Sequence, residues 1–234
     1  MAEHSSARGG RGERDAVGYN HAMLCETFAA GPFQCNCTIV ADPATREAIV
    51  IDPGGEVARI AAIVRANDLT VRAIVHTHAH LDHIFATRDV KLAHGGEVCL
   101  HPDDRPLYDA AAVQAAMFGF PAPRMTAVER WLADGDRLGF GAHAALVLHT
   151  PGHTPGSVCF EVAVPGEPTL LFAGDTLFRR SVGRTDLPGG DAAALRASIK
   201  TRLYTRDLDA VVIPGHGPTT TLGDEARANP FVRA

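Results

Sequence analysis

No segment of this 234-residue chain approaches the ~18 consecutive apolar residues that a membrane-spanning helix needs, which argues against a membrane partner. Basic charge is not in excess. The 22 Lys and Arg against 27 Asp and Glu give a formal net charge of -5, whereas a nucleic-acid partner wants a basic face. A disulfide framework is missing too. The 5 cysteines, Cys25, Cys35, Cys37, Cys99 and Cys159, are odd in number and irregular in spacing, and read as reduced, mostly buried thiols of a cytoplasmic protein. Cys35-Asn36-Cys37 holds metal-ligand residue types, but Thr38-Ile39-Val40 continues it as a strand. The N-terminus lacks the apolar stretch of a secretory signal. Its Arg8, Arg11 and Arg14 are interspersed with Glu3, Glu13 and Asp15, which argues against an organellar presequence and predicts a disordered tail over residues 1–20. The remainder suits one domain over residues 21–234, because a chain with 46% hydrophobic residues can bury a single large core.

Segments 23–28, 35–41 and 47–51 predict short strands punctuated by Gly31-Pro32 and Asp42-Pro43. Asp52-Pro53-Gly54-Gly55 ends the third strand. Val57, Ile60, Ala61 and Val64 keep helical spacing after it. Residues 71–75 form a buried strand, 82–93 a helix, 97–100 a strand and 103–118 an Ala-rich helix. Strands follow at 143–149, 157–164, 169–173 and 210–213. Asp191 caps a helix with a core stripe of Leu195, Ile199 and Leu203. Strands interleaved with helices in this order predict sheets with helices packed outside.

The unusual residues follow the ends of apolar strands. His78-Ala79-His80-Leu81-Asp82-His83 follows 71–75, Thr150-Pro151-Gly152-His153 follows 143–149, Gly174-Asp175 follows 169–173, and Pro214-Gly215-His216-Gly217 follows 210–213. Parallel neighbours with this layout place all four turns along one edge of a sheet, where open α/β structures hold ligands. Four titratable residues in six positions are costly to bury unless a cation sits among them. Imidazole and carboxylate suit zinc, iron and manganese alike. Seven such residues exceed the needs of one tetrahedral ion and match two divalent ions, with zinc or iron preferred, sharing a carboxylate and a bridging water. The expected chemistry is attack of a metal-bound hydroxide on an acyl carbonyl. His4, His21, His94, His101 and His143 read as solvated or hydrogen-bonded residues. His76 and His149, close to the ligand turns, read either as orienting partners or as core. Phe118 and Phe120, set between Gly119 and Pro121-Ala122-Pro123, read either as one wall of a substrate cleft or as a packed loop.

The segment from His78 to His83 resembles the H-x-H-x-D-H signature of the metallo-β-lactamase superfamily, and His153, Asp175 and His216 fall where that superfamily supplies its later ligands. The resemblance covers about residues 23–230. It implies a four-layer αβ/βα sandwich, an α/β fold with two sheets face to face and helices outside. It also implies His78, His80 and His153 on a first metal, Asp82, His83 and His216 on a second, and Asp175 as the bridge. Asp82 is the expected catalytic residue as well as a ligand. An aspartate at 175, where the β-lactamases usually place a cysteine, argues against that activity.

Within the superfamily the chain is most similar to the short bacterial glyoxalase II (hydroxyacylglutathione hydrolase) group, through Gly152-His153-Thr154-Pro155-Gly156-Ser157, Gly174-Asp175-Thr176-Leu177-Phe178, Gly183-Arg184-Thr185-Asp186 and the run from Pro214 to Phe231. This resemblance implies hydrolysis of S-D-lactoylglutathione, a small-molecule substrate, by a monomer or homodimer. Arg184 aligns with a basic position that contacts the glutathione part, against the simpler reading of a surface ion pair with Asp186. The C-terminal helical domain of the longer glyoxalase II enzymes is absent from this sequence. Two other readings remain open at this level. One is a persulfide dioxygenase with a single iron on His78, His153 and Asp175. The other is a metal-bearing scaffold without catalysis.

Overall fold

A computed structural model describes residues 23–234. The tail expected over residues 1–20 lies outside the described residues, as do His4 and His21. The first sheet comprises β1 (Leu24–Ala30), β2 (Cys35–Ala41), β3 (Glu47–Ile51), β4 (Thr70–Val75), β5 (Glu97–Leu100) and β6 (Arg130–Trp131), in that spatial order. The first three are antiparallel, and β3 to β6 run parallel. The second sheet is built from β7 (Arg137–Phe140), β8 (His143–His149), β9 (Val158–Val162) and β10 (Leu170–Gly174). A small hairpin, β11 (Leu177–Phe178) and β12 (Ser181–Val182), follows. β13 (Val211–Pro214) and β14 (Thr220–Thr221) complete the second sheet, whose order is β14-β13-β10-β9-β8-β7.

The four layers follow from the two-residue period of the strands. In β3, Ile49 and Ile51 face the second sheet, while Ala48 and Val50 face the helices. In β10, Leu170 and Phe172 point to the sandwich interior, and Leu171 and Ala173 to the opposite side. Phe140 and Phe160 are fully buried between the sheets, and each such side chain contributes about 1.5–3 kcal/mol. On the first sheet pack α1 (Val57–Ala66), the single turn α2 (Leu81–Ile84) and α3 (Thr87–His94). Short helices α4 (Arg105–Asp109) and α5 (Ala111–Met117) close over Ala79, Leu81 and Leu100. On the second sheet pack α6 (Ala192–Ser198), which continues as one wide turn to Leu203, and α7 (Leu222–Ala228). Asp191 caps α6 as expected, accepting from the amides of Ala193 and Ala194.

Two expected helices are interrupted. The helix over 82–93 breaks between Ile84 and Thr87, where the Thr87 hydroxyl donates to the Ile84 carbonyl. The helix over 103–118 divides into a 3-10 turn (Pro102–Asp104), α4 and α5. Its Asp104 side chain turns inward to bind other loops. The strands β6, β7, β11, β12 and β14 and the helix α7 escaped the sequence reading, most of them being only two to four residues long. Among the described residues, no helix is long and apolar enough to cross a membrane.

Candidate metal centre

The four ligand-bearing turns meet at one rim, but the rim belongs to two sheets, not one. β4 delivers His78 to His83 from the first sheet. β8, β10 and β13 share one direction in the second sheet and end on His153, Asp175 and His216. The sheets are stitched together here. The Asn36 amide donates to the Gly215 carbonyl at 2.7 Å, and its side chain donates to the carbonyls of Pro214 and Gly217.

All seven predicted residues converge, in two groups. His153 Nε2 lies 2.9 Å from His80 Nδ1, 3.2 Å from His78 Nε2 and 3.5 Å from Asp175 Oδ2. The second group is centred on the other carboxylate oxygen. Asp175 Oδ1 lies 3.5 Å from His83 Nε2 and 3.8 Å from His216 Nε2, and Asp82 Oδ2 lies 3.7 Å and 3.0 Å from the same two nitrogens. Ligands ~2.0–2.1 Å from a common tetrahedral centre stand about 3.3 Å apart, which is the spacing seen in both groups.

The imidazoles are set to face inward as acceptors. His78 Nδ1 is 3.1 Å from Thr77 Oγ1, which itself donates to Asp52 Oδ2 at 2.6 Å. His83 Nδ1 donates to Asp52 Oδ2 at 3.0 Å, His153 Nδ1 to the Arg184 carbonyl at 2.7 Å, and His216 Nδ1 to the Phe33 carbonyl at 3.1 Å. With the outer nitrogen of four rings holding the proton, the inner Nε2 presents a lone pair, as a metal requires. His83 Nε2 and Asp175 Oδ1 are buried without any hydrogen-bond partner. Buried polar atoms are rarely left so, and a cation between them is the partner this donor set fits.

Electrostatics divide the groups. Burial holds His78 well below the ordinary imidazole range and lowers His80 to about 4. Burial also opposes protonation of His83, but surrounding anionic groups outweigh it and hold His83 well above the usual value. The carboxylates of Asp82, Asp52 and Asp175 carry this effect, since burial pushes the nearby Cys35 thiol up to about 12 and keeps it neutral. His216 is raised as well: burial is outweighed by its hydrogen bond to Asp82 and by Asp175.

The sequence model of the metallo-beta-lactamase superfamily matches residues 30–216. The chain belongs to the metallo-β-lactamase superfamily. It is 36% identical over 214 residues to the hydroxyacylglutathione hydrolase GloC of Haemophilus influenzae, covering 91% of this chain and 99% of that one. Among solved structures it is similar to BLEG-1 B3 metallo-beta-lactamase, with a TM-score of 0.82 and 35% identity, over 90% of this chain and 100% of that one. TTHA1623 in a di-iron-bound form is 43% identical, with a TM-score of 0.76, over 87% of this chain and 98% of that one. The four-layer sandwich is thus that of the superfamily, and metal binding comes with it.

Several residues that hold the superfamily site together were missed by reasoning from sequence. Asp52 was read only as a strand terminator. It accepts from the Thr77 amide, the Thr77 hydroxyl and His83. Asp104 is fully buried and joins the two histidine loops, accepting from the amides of Ala79 and Gly156 and from the Thr154 hydroxyl. Glu225 accepts from the Arg180 amide, while Asn229 donates to the Ser181 carbonyl, so α7 and its cap pin the hairpin that leads to Arg184.

Other candidates have different roles. The Arg184 guanidinium makes a bidentate pair with Asp186, at 2.7 Å on both arms, and is exposed. His76 lies in the core against the Thr87 hydroxyl, and His149 donates to the Pro155 carbonyl and so braces the loop of His153. His101, read as solvated or hydrogen-bonded, is buried, accepts from the Asp103 amide, and stacks on His149 at 4.1 Å and 12°. The ligand-type atoms of His101, Asp103 and His149 lie near one another, but His101 Nδ1 is engaged by the Asp103 amide and His149 Nε2 by the Pro155 carbonyl. Cys35 and Cys37 lie buried in β2, with Cys35 Sγ facing the outer nitrogen of His83.

Proposed function

We propose that this protein hydrolyses a thioester, S-D-lactoylglutathione or a related acyl-glutathione, with two divalent ions held by His78, His80 and His153 on one side, Asp82, His83 and His216 on the other, and Asp175 between. The carrying observation is the Asp175 carboxylate, whose two oxygens face two separate groups at ligand spacing, with Oδ1 otherwise orphaned. When bound, such ions supply Lewis acidity and a water acidic enough to attack at neutral pH. Asp82, held ionised by His83 and His216 against the opposing effect of burial, would orient that water by accepting a hydrogen bond from it. Water adds to the acyl carbon, the C–S bond breaks, and the thiol leaves with a proton.

The match to GloC over nearly all of that protein's length supports a glutathione thioester as the substrate. Arg184 and Arg196 line a cavity of ≈320 Å³ with Ser181 and Thr185. There Arg184 would exchange Asp186 for a carboxylate of the thiol half, a task suited to guanidinium. A single-iron dioxygenase needs only one of the two groups, so the completed second group favours hydrolysis over that reading and over a non-catalytic scaffold.

The test pairs elemental analysis with turnover of S-D-lactoylglutathione, a β-lactam and, by oxygen uptake, glutathione persulfide. Two ions per chain with thioester cleavage is the expected result. One iron with oxygen uptake and no thioester cleavage overturns the proposal, as does cleavage of the β-lactam alone.

Acid is expected to strip the second group of its ion first. His78 and His80 sit below the ordinary imidazole range and are neutral at pH 7, so an ion there displaces no proton. His83 and His216 sit above it, so protons compete with the ion increasingly as pH falls. Zinc titration by calorimetry should give two ions per chain at pH 7.5 and one at pH 5.5; two at both values would refute the division. Asp52→Ala removes the acceptor that orients His83 and is expected to weaken zinc affinity of the second group by ~10–100-fold, with the first affected less. Equal weakening of both groups, or of neither, would deny Asp52 that role.

A further inference from the structure

A second opening adjoins the site at Asp82. It is a cleft of ≈70 Å³ walled by Pro32, Phe33, Leu81, Phe85 and Phe120, with Asp82 also in its lining. Phe33 is anchored edge-on by Phe120 at 5.6 Å and by Phe118 at 5.0 Å, yet remains 38% exposed, and Phe85 is 37% exposed. Phe118 and Phe120 thus play different parts. Phe120 forms wall, and Phe118 supports Phe33 from outside. The backbone of Phe33 also touches the site, because its carbonyl holds His216.

We infer that this cleft receives the acyl group of the thioester and that the enzyme selects apolar acyl chains of about four carbons over 2-hydroxyacyl groups. The inference rests on the thioester-hydrolase reading and names the substrate class within it. The carbonyl under attack must lie beside Asp82, so its two substituents leave in different directions. Beyond His153, on the side of its outer nitrogen, lies the cavity with Arg184 and Arg196, suited to a charged thiol half. Toward His216 and Asp82 lies the carbon-walled cleft, where the carboxylates of glutathione would be stripped of water without a counter-charge. The acyl group is the half that fits. The one polar side chain in the wall is Asp82, already engaged by His216 Nε2 at 3.0 Å. A hydroxyl on the acyl carbon chain would therefore lose its hydrogen bonds to water and find no free partner. A cavity of about 150 Å³ takes a six-carbon ring, so ≈70 Å³ holds about three carbons beyond the carbonyl, which sets the chain length.

The experiment measures kcat/KM of the metal-loaded protein on acetyl-, butyryl-, hexanoyl- and D-lactoyl-glutathione. Each buried methylene is worth about a fourfold gain, so butyryl should exceed acetyl by roughly 15-fold, and lactoyl should fall below butyryl. Phe33→Ala should bring the butyryl-to-acetyl ratio down toward one. S-butyl- and S-methylglutathione, thioethers that cannot be cleaved, give a readout without turnover: calorimetry should find the butyl compound tighter, and less so in Phe33→Ala. Thioester cleavage with a flat series, a preference for lactoyl, or an unchanged ratio in Phe33→Ala overturns the acyl cleft alone. Absence of cleavage across the whole series overturns the hydrolase reading and this inference with it.

Discussion

Asp175→Ala is expected to abolish both ligand groups with one substitution. Its Oδ2 serves the cluster of His78, His80 and His153, and its Oδ1 serves that of Asp82, His83 and His216. Hydrolysis should fall by on the order of 10³-fold or more, beyond the ~10–100-fold typical of losing a group that only orients a ligand. Stability separates this from simple unfolding. Without metal, Oδ1 has no hydrogen bond, but the carboxylate is still a counter-charge to His83 and His216, so the alanine removes a cost and a gain together. In chelator, the variant should therefore melt close to the wild-type temperature. With zinc at 100 times its Kd, the wild type should gain about 2.7 kcal/mol and the variant far less. A variant that still binds two ions and melts like wild type in zinc would show that Asp175 does not bridge.

How much of this was legible in the sequence depends on whether a residue's task is local. The run from His78 to His83 declares itself, because clustered titratable side chains on a buried turn need a compensating charge. His153, Asp175 and His216 are separated widely in sequence, and were found because each follows an apolar strand through a Gly- or Pro-marked turn. The structure brings them together at the rim of two sheets, where the sequence reading expected a single sheet edge. Which sheet a strand joins depends on pairing. β8 lies two strands from β10 in the second sheet, while β4 lies in the first, and nothing in the composition of either strand distinguishes the two.

The residues that were missed act across long separations. Asp52 becomes a partner of His83 only when β3 pairs in parallel with β4, with Ile51 opposite Val75, so that the residues just after each strand lie side by side. Asn36 looks like an ordinary strand residue until the turn after β13 arrives at its side chain. The break after Ile84 escapes a periodicity test for the same reason: the helix ends where the site needs His83 and where Thr87 turns back on Ile84, although the apolar spacing continues. Arg184 shows the converse. Its side chain drew attention through a family resemblance, while its best-defined contact with the site is the main-chain oxygen that holds His153.

That oxygen is the reason Gly183→Ala should be as damaging as loss of a ligand. A Cβ on Gly183 would fall 1.8 Å from the Asp175 carbonyl oxygen and 3.2 Å from His153 Nδ1. Both are fixed points. The Asp175 carbonyl belongs to main chain at the end of β10, and the hairpin that precedes Gly183 is pinned from the far side by Glu225 and Asn229. The segment must therefore move by about an ångström, carrying the Arg184 carbonyl away from His153 and freeing that imidazole to rotate. A displacement of ~1 Å at a catalytic group costs about 10²-fold in rate, and overpacking adds ~1–3 kcal/mol of destabilisation. Gly139→Ala is the matched control, because its Cβ would meet nothing within 4 Å on β7, and its stability should stay within about 0.5 kcal/mol of wild type. The measurements are zinc affinity, melting temperature in chelator, and kcat/KM on a thioester. Loss of affinity and rate in Gly183→Ala, with Gly139→Ala unchanged, is the expected outcome. Wild-type affinity in both would mean that the Arg184 carbonyl does not set the orientation of His153.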